Sequence, residues 1–155
     1  MIKNVRISLV LLLICGLIYP LSMTGLAQAI MPKQAEGSLI TDANGTVIGS
    51  ELIGQTFSSP RYFHGRISSI ENNAAGSGSN NYAPSNPALK ERVEKDITAF
   101  LQANPGVKRE QIPADLLTNS ASGLDPHISP QAALVQVPRI AKERGISAER
   151  IEKLI

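Results

Sequence analysis

Two histidines and one nearby carboxylate are the side chains in this sequence best suited to acid–base or metal chemistry. His64 follows two aromatic residues, and His127 lies two residues after Asp125. A zinc site needs His, Cys or carboxylate ligands at spacings that bring them around one ion, and no such spacing joins these three residues. Asp125 and His127 form a possible acid–base pair, but Asp-Pro-His is better explained as a turn in which the Asp side chain accepts backbone amides. We therefore expect no catalytic residue and no metal ligand in this chain.

A run rich in glycine and serine at residues 76–80 is the second place where chemistry is conceivable. It reads Gly-Ser-Gly-Ser-Asn and lies within a longer stretch, residues 72–86, that is rich in Gly, Ser, Asn and Ala. A phosphate-binding loop would need Gly-Lys-Ser or Gly-Lys-Thr at the start of a helix, and a hydrolase elbow would need Gly-x-Ser-x-Gly after a strand. Neither pattern is present, so we interpret residues 72–86 as a flexible loop and predict no cofactor bound by this chain itself.

Aromatic and basic side chains concentrate between residues 59 and 66. The run is Ser-Pro-Arg-Tyr-Phe-His-Gly-Arg, and its candidate interface residues are Arg61, Tyr62, Phe63, His64 and Arg66. Such a run can form a recognition loop, or an edge strand whose rings pack inward while both arginines stay in water. The spacing alone favours the edge strand.

The elements that must position these residues begin with a long stretch without charge. Residues 7–32 contain no charged side chain, and a helix of this length reaches about 39 Å, more than the roughly 30 Å of a bilayer's hydrocarbon core. We therefore predict one membrane-spanning helix over residues 7–32. Tyr19-Pro20 lies inside it and favours a kink, because proline lacks an amide hydrogen. Gly16 and Gly25 would allow another helix to approach closely.

Two alternatives to a retained membrane helix stay open. Ala27-Gln28-Ala29 resembles the small-x-small site of a cleaved secretory signal, although apolar residues continue as far as Met31. The other alternative is a buried core helix, but charge-free runs of this length rarely form a core. In the membrane interpretation, Lys3 and Arg6 keep residues 1–6 in the cytoplasm, and residues 33–155 form an exported domain.

The exported domain predicted in this way is electrically neutral. The chain has 15 basic and 13 acidic residues, and Lys3 and Arg6 are two of the basic ones. A neutral domain has no electrostatic reason to bind nucleic acid, and export also argues against interpreting residues 139–151 as a DNA-binding helix-turn-helix. Cys15, the only cysteine, lies inside the apolar stretch, so no disulfide can form within the domain.

The first half of the predicted domain contains β structure. Asn44-Gly45 is a strong hairpin-turn signal between strands expected at residues 38–40 and 46–48. Residues 52–57 have the composition of further strand.

The second half is predicted to be helical, which gives an α+β fold overall. Asn86 caps a helix that starts at Pro87 and ends at residues 104–106, and we expect its apolar stripe to pack on the hairpin sheet. Three short helices follow. Ser129 caps the first, Pro138 starts the second, which Gly145 ends, and Ser147 caps the third, whose apolar residues Ile151, Leu154 and Ile155 would face outward.

Several motifs spread along the chain form a pattern that is more specific than any one of them alone. The most specific is residues 122–130, Ser-Gly-Leu-Asp-Pro-His-Ile-Ser-Pro, followed by Gln136 and Arg139. The others are Tyr19-Pro20-Leu21 with Thr24-Gly25-Leu26-Ala27, Gly37-Ser38-Leu39-Ile40, Leu52-Ile53-Gly54-Gln55-x-Phe57, residues 60–66, and Ser85-Asn86-Pro87-x-Leu89. This pattern resembles the C subunit of the high-affinity potassium-transporting P-type ATPase, the Kdp complex, over nearly the whole chain.

The resemblance implies a non-catalytic, single-pass accessory subunit in the bacterial inner membrane. Its implied partners are a catalytic P-type ATPase subunit, a channel-like potassium-binding subunit, a small membrane peptide and the lipid bilayer. ATP, Mg²⁺ and K⁺ would belong to the complex. The family is described as stabilising the assembly and supporting the ATP affinity of the catalytic subunit. The candidate interface or structural residues are Tyr19, Pro20, Gly25, Arg61, Tyr62, Phe63, His64, Arg66, Asn86, Asp125, His127 and Gln136.

The chain departs from the family pattern in two places. The glycine–serine run reads Gly-Ser-Gly-Ser-Asn, where the family more often has paired glycines, and family members usually continue for a few dozen residues beyond the position of Ile155. The resemblance thus also implies a shortened carboxyl terminus. An alternative from another class is a membrane-anchored or secreted extracytoplasmic binding protein unrelated to a pump.

Overall fold

The computed structural model describes residues 2–155, and the chain divides into two compact units. The first ends at Glu51, and the second is Leu52–Ile155. The elements observed are helices and one small sheet, which agrees with the predicted α+β class.

The first unit begins with a long apolar helix. Helix α1 (Ile2–Leu13) continues through a π-helical turn (Ile14–Ile18) into α2 (Tyr19–Ile30). The 29 residues have a mean hydropathy of 2.2 over their most apolar window and make one candidate membrane span, which fits the predicted single membrane helix. All their side chains are exposed except that of Ala27, which is half-buried.

The π-helical turn lies directly before Tyr19-Pro20, where a kink is predicted. The amide of Tyr19 donates to the carbonyl of Ile14, five residues back, instead of the usual four. Because Pro20 has no amide to donate, the regular ladder is already interrupted at this point, and a wider turn is a common way to absorb the interruption.

A short helix and a hairpin complete the first unit. Helix α3 (Pro32–Ala35) is followed by β1 (Leu39–Thr41) and β2 (Val47–Ser50), which pair antiparallel. Between them, the Asp42 carboxylate accepts the amides of Asn44 at 2.8 Å and Thr46 at 2.9 Å. The predicted hairpin around Asn44-Gly45 is confirmed.

The strand predicted at residues 52–57 is wrong. Only an isolated bridge forms at Ile53, and the amide of Gly54 donates instead to the carbonyl of Leu124 at 2.7 Å. The backbone of this segment is thus committed to a loop about seventy residues away, and no partner strand is available to extend a ladder.

The second unit has its first apolar cluster around α4 (Pro87–Ala103). The Asn86 side chain accepts the Ala88 amide at 2.9 Å, so the predicted cap is confirmed. The prediction that the helix stripe packs on the hairpin sheet is wrong. Its neighbours come from residues 107–135, which include two 3₁₀ turns, Arg109–Gln111 and Ala114–Leu116. The cluster is centred on Ile97, Ile112, Leu116 and Ala132, with Val93, Phe100 and Leu101 around them.

Three short helices follow, and the last two of them carry the second apolar cluster. They are α5 (Pro130–Leu134), α6 (Val137–Arg144) and α7 (Ala148–Glu152). Ser129 caps α5 through a 3.0 Å hydrogen bond from the Ala132 amide, and Gly145 ends α6 with φ of +65°, both as predicted. Ser147 precedes α7, but its hydroxyl makes no capping hydrogen bond, so that prediction is wrong.

The prediction that Ile151, Leu154 and Ile155 face outward is wrong for Ile151. Ile151 is buried and packs with Val137 and Ile140 from α6. Leu154 and Ile155 lie beyond α7 and are exposed. Ile151 is turned inward because α7 lies against α6.

Residues 54–86 form neither helix nor strand, so the predicted edge strand at 59–66 is also wrong. This part of the chain is held by hydrogen bonds to the loop around Gly123. The Ser68 hydroxyl donates to the Gly123 carbonyl at 2.6 Å, and the Gly78 amide donates to the Ser122 carbonyl at 2.9 Å. Two loops therefore stabilise each other where a sheet was expected.

Gly123 is the tightest point of this loop pair, and replacing it should weaken the fold. It is buried with φ of +72°, and a Cβ there would lie 2.6 Å from Ile70 Cγ1 and 2.8 Å from the Gly78 carbonyl oxygen. We expect Gly123→Ala to lower the free energy of unfolding by about 2–4 kcal/mol, from backbone strain and overpacking together. Urea denaturation of the full chain in detergent, followed by circular dichroism, measures it.

Gly106→Ala is the matched control, because a Cβ at Gly106 would meet nothing within 4 Å. It should stay within about 0.5 kcal/mol of the unmodified chain. Equal stability of the two variants would show that the loop pair is not closely packed.

Candidate functional site

The site is centred on Gln136, which joins α6 to the loop at residues 60–64. Its side chain is fully buried. The side-chain oxygen accepts the His64 amide at 2.9 Å, while the side-chain nitrogen donates to the carbonyls of His64 at 3.1 Å and Ala132 at 2.8 Å. Gln136 therefore pairs with the backbone of His64 as a neighbouring strand would, although the two residues are 72 positions apart.

Arg139 extends this contact along the same loop. Its guanidinium donates to the carbonyl oxygens of Pro60 and Tyr62, the latter at 3.0 Å, and to the Gln136 side-chain oxygen at 2.8 Å. Its Nε donates to Asn104 Oδ1 at 2.9 Å. Arg139 is buried, and burial lowers the pKa of its guanidinium, which nearby Glu143 partly opposes. We call Gln136 and Arg139, with the backbone of residues 60–64, the loop clasp.

The His64 side chain lies beside the clasp and is half-buried. Its Nε2 is 3.3 Å from the Ser59 carbonyl oxygen, which accepts the ring proton when that nitrogen carries it. Burial lowers the pKa of His64 below its ordinary value of 6.5. The hydrogen bond to Ser59 opposes this shift, and the positive charge of Arg139 adds to it. The fold therefore favours the neutral imidazole.

Arg66, Asp125 and His127 form a second polar group. Arg66 Nη1 donates to Asp125 Oδ2 at 2.7 Å, and its Nη2 donates to the Asn119 carbonyl at 3.1 Å. Asp125 Oδ1 accepts the His127 amide at 3.0 Å and lies 2.7 Å from His127 Nδ1. The predicted Asp-Pro-His turn is confirmed. The expectation that Arg66 stays in water is wrong, because this ion pair half-buries it.

The charge of Asp125 is stabilised in this arrangement. Its pKa lies below the ordinary 3.8, first because the His127 amide donates to the carboxylate, and then through the His127 ring and Arg66. The His127 side chain itself is 82% exposed. Among residues 2–155 no group of three or more His, Cys, Asp or Glu side chains is placed to hold a metal ion.

Aromatic and cationic side chains form an exposed surface on the outer side of the loop clasp. Phe57 and Tyr62 are 46% and 45% exposed, and their ring centroids lie 5.3 Å apart. The Arg144 guanidinium lies 5.1 Å from the centre of the Tyr62 ring, and its Nε donates to the Arg61 carbonyl at 2.7 Å. We call Phe57, Arg61, Tyr62 and Arg144 the aromatic–arginine surface. The expectation that both rings of residues 62 and 63 pack inward holds only for Phe63, which contacts the second apolar cluster.

The structure thus separates the candidate residues by role. Gln136 and His64 lie in the loop clasp, Arg66, Asp125 and His127 form the second polar group, and Asn86 caps α4 away from both. Tyr19, Pro20 and Gly25 belong to the apolar helix of the first unit. In the second unit, the polar side chains of the clasp are occupied by intramolecular hydrogen bonds, so they position a loop and present no free group to a ligand.

Comparison with known proteins identifies the family of this chain. A family model described as KdpC, K⁺-transporting ATPase, c chain, matches residues 1–155. The chain belongs to the KdpC family. Its relatives include potassium-transporting ATPase KdpC subunits of Bacillus anthracis and of Bacillus cereus strain AH820, each 58% identical over 97% of this chain and 78% of the relative.

KdpC membership shows that the resemblance inferred from the motifs is correct. This chain is therefore a subunit of a potassium-transporting ATPase of the Kdp type. The relatives are longer than the 155 residues of this sequence, as the resemblance led us to expect.

The site residues absent from the sequence-based candidates are Phe57, Arg139 and Arg144. Arg139 lies in an amphipathic helix between buried Val137 and Ile140, where a cation is normally expected to face water. A usable signal was the spacing of Gln136 and Arg139, which puts two long polar side chains on one side of a helix turn. Most of their partners are backbone groups. Every residue type carries such groups, so the sequence does not show which of them would be bound.

Removing the amide of Gln136 should destabilise the second unit. In Gln136→Leu, the His64 amide and carbonyl lose their partners, and Arg139 loses one acceptor. We expect the free energy of unfolding to fall by about 2–4 kcal/mol, measured by urea denaturation of the full chain in detergent. Gln131→Leu is the control, since Gln131 is exposed in the neighbouring helix, and a similar loss there would contradict a specific role for the clasp.

The lowered pKa of His64 predicts a pH dependence. Because the folded state binds the proton more weakly than the unfolded state, the stabilisation is complete above the unfolded pKa of 6.5 and is lost as the pH falls through the lower folded pKa. The free energy of unfolding should therefore decrease between about pH 7 and pH 5. His64→Gln should decrease less over this range. His127 is present in both proteins, so the difference belongs to His64, and identical slopes would exclude its contribution.

Proposed function

We propose that this chain is a non-catalytic accessory subunit that stabilises an ATP-driven, high-affinity potassium uptake complex. The observation that carries the proposal is the 58% identity to KdpC subunits over 97% of the chain, which includes both the apolar helix and the second unit. We assign the catalytic role to another subunit, which is supported by the intramolecular hydrogen bonds that engage His64, Arg66, Asp125 and Gln136.

We propose a single-pass topology in the bacterial inner membrane, with the amino terminus in the cytoplasm. Lys3 and Arg6 supply uncompensated positive charge before the apolar stretch. After it, Lys33 is the only Lys or Arg before Arg61. This asymmetry favours retention of the amino terminus in the cytoplasm and export of the following domain.

The apolar helix has a surface that neighbouring membrane helices can contact. Its side chains are exposed throughout, apart from that of Ala27, and in a bilayer they would face lipid or other membrane helices. Gly16 lies in the π-helical turn and Gly25 in α2, and a Cβ added at either position would meet nothing within 4 Å. We propose that the helix packs on the membrane subunits of the complex through such close-approach positions.

The proposed partners are the catalytic subunit, the channel-like potassium-binding subunit and the small membrane peptide, with ATP, Mg²⁺ and K⁺ bound by the complex. An exported domain cannot touch ATP in the cytoplasm. Any support of ATP affinity would therefore act as coupling through the membrane helices. Support for the ion entrance of the channel-like subunit is the role that fits this topology best.

Co-purification tests the assembly. The tagged full chain, expressed with the other pump subunits and extracted in mild detergent, should recover them in fixed stoichiometry. Recovery of the chain alone would favour the anchored or secreted binding protein and would contradict the proposal.

Removal of residues 52–155 tests the exported domain, because the remaining unit keeps the helix and hairpin together. The shortened chain should impair either assembly or the apparent potassium affinity of transport, measured as growth or rubidium uptake at limiting potassium. Quantification in membranes shows whether the shortened chain is present. Unchanged uptake with normal assembly would exclude a role for the domain.

A further inference from the structure

We propose that the aromatic–arginine surface is a docking site for an acidic segment of another protein subunit of the pump. This inference rests on the proposed function and adds the chemistry of the contact. The surface consists of Phe57, Arg61, Tyr62 and Arg144, and all four side chains are exposed.

The first argument is uncompensated charge. Among residues 2–155, five ion pairs form, and none of them contains Arg61, Arg139 or Arg144. These three arginines all meet the loop at residues 60–62, where Arg139 and Arg144 bind its carbonyl oxygens. Glu143 acts on Arg139 and offsets part of this charge, but three arginines against one carboxylate leave a local excess of positive charge in a domain that is neutral as a whole. Carboxylates are its natural complement.

The second argument is rigidity. Arg144 is fixed by its hydrogen bond to the Arg61 carbonyl and by its position over the Tyr62 ring. The backbone beneath is fixed by Arg139 and Gln136. A guanidinium held in one orientation keeps its remaining N–H donors available in a fork that matches a carboxylate. Binding to such a surface costs little conformational entropy.

The third argument is composition. Tyrosine, phenylalanine and arginine are the side chains enriched in protein–protein interfaces, and tyrosine and arginine are frequent hot spots. Attraction to an anionic membrane usually takes clusters of four to eight Lys or Arg, and the strongly anionic leaflet is the cytoplasmic one. Two exposed arginines beside two rings on an exported domain therefore favour a protein segment over lipid.

The test measures binding of the full chain in detergent to the remaining pump subunits. Arg61→Gln/Arg144→Gln should raise the dissociation constant by about tenfold or more. The affinity of the wild type should also fall more steeply with increasing salt than that of the variant. Lys90→Gln/Lys95→Gln removes the same charge from exposed positions on α4 and should bind like the wild type. Circular dichroism and thermal unfolding show that both variants are folded.

Crosslinking identifies the occupant. In a Cys15→Ser background, Ser58→Cys places a benzophenone label beside the surface without altering its four side chains, and Ala99→Cys on α4 is the control position. We expect the label at position 58 to capture a peptide of another pump subunit that contains Asp or Glu. Capture of lipid, of a second copy of this chain or of a peptide without acidic residues would overturn the inference.

The outcomes separate the inference from the proposed function. If the wild type binds the pump subunits and the double arginine variant binds equally well, the docking site is wrong and the accessory role stands. If the wild type fails to bind them at all, both are overturned.

Discussion

The second unit depends on side chains that bind backbone across long sequence separations. The side chains of Gln136 and Arg139 together make seven hydrogen bonds, and five of these reach residues at least 35 positions away. The need for this device follows from the composition. The chain has three phenylalanines, three tyrosines and no tryptophan, and its two apolar clusters are small. Residues 54–86 form no regular structure, and the chain has too little buried apolar surface to hold them in place by packing alone.

A loop without ladder hydrogen bonds still has amides and carbonyls that must be satisfied when it is partly buried. In this protein the buried Gln136 side chain forms hydrogen bonds with the amide and carbonyl of His64, as a neighbouring strand would. The buried Arg139 side chain donates hydrogen bonds to the carbonyls of Pro60 and Tyr62. Ser120 plays the corresponding part around Gly123, whose amide donates to its hydroxyl at 2.7 Å. Buried polar side chains at the joins between loops and helices are therefore structural supports of the domain.

This division explains what sequence reasoning could and could not reach. Caps and stops are local, so Asn86, Ser129 and Gly145 were identified from one or two neighbouring residues and confirmed. Residues 52–66 have strand-like composition but find no partner strand, because their hydrogen bonds go to Leu124 and Gln136. Local periodicity contains no information about such distant partners. The motif around residues 122–130 allowed the Asp125 turn and the Ser129 cap to be predicted, but it could not show the distant partners, Arg66 for Asp125 and Ser68 for Gly123.

The way in which Arg139 is satisfied has an electrostatic consequence. A buried guanidinium is usually neutralised by a carboxylate, because an isolated charge is costly to remove from water. Here its acceptors are the Asn104 and Gln136 side chains and two backbone carbonyls, all of them neutral. Neutral dipoles stabilise the charge without cancelling it, and nearby Glu143 offsets only part of it, so much of the field of Arg139 persists beneath the loop where Arg61 and Arg144 reach the surface. The buried arginine is bound by carbonyl oxygens and not by a carboxylate. For this reason Arg139 both holds the loop at residues 60–64 in place and adds to the positive charge of the surface above it.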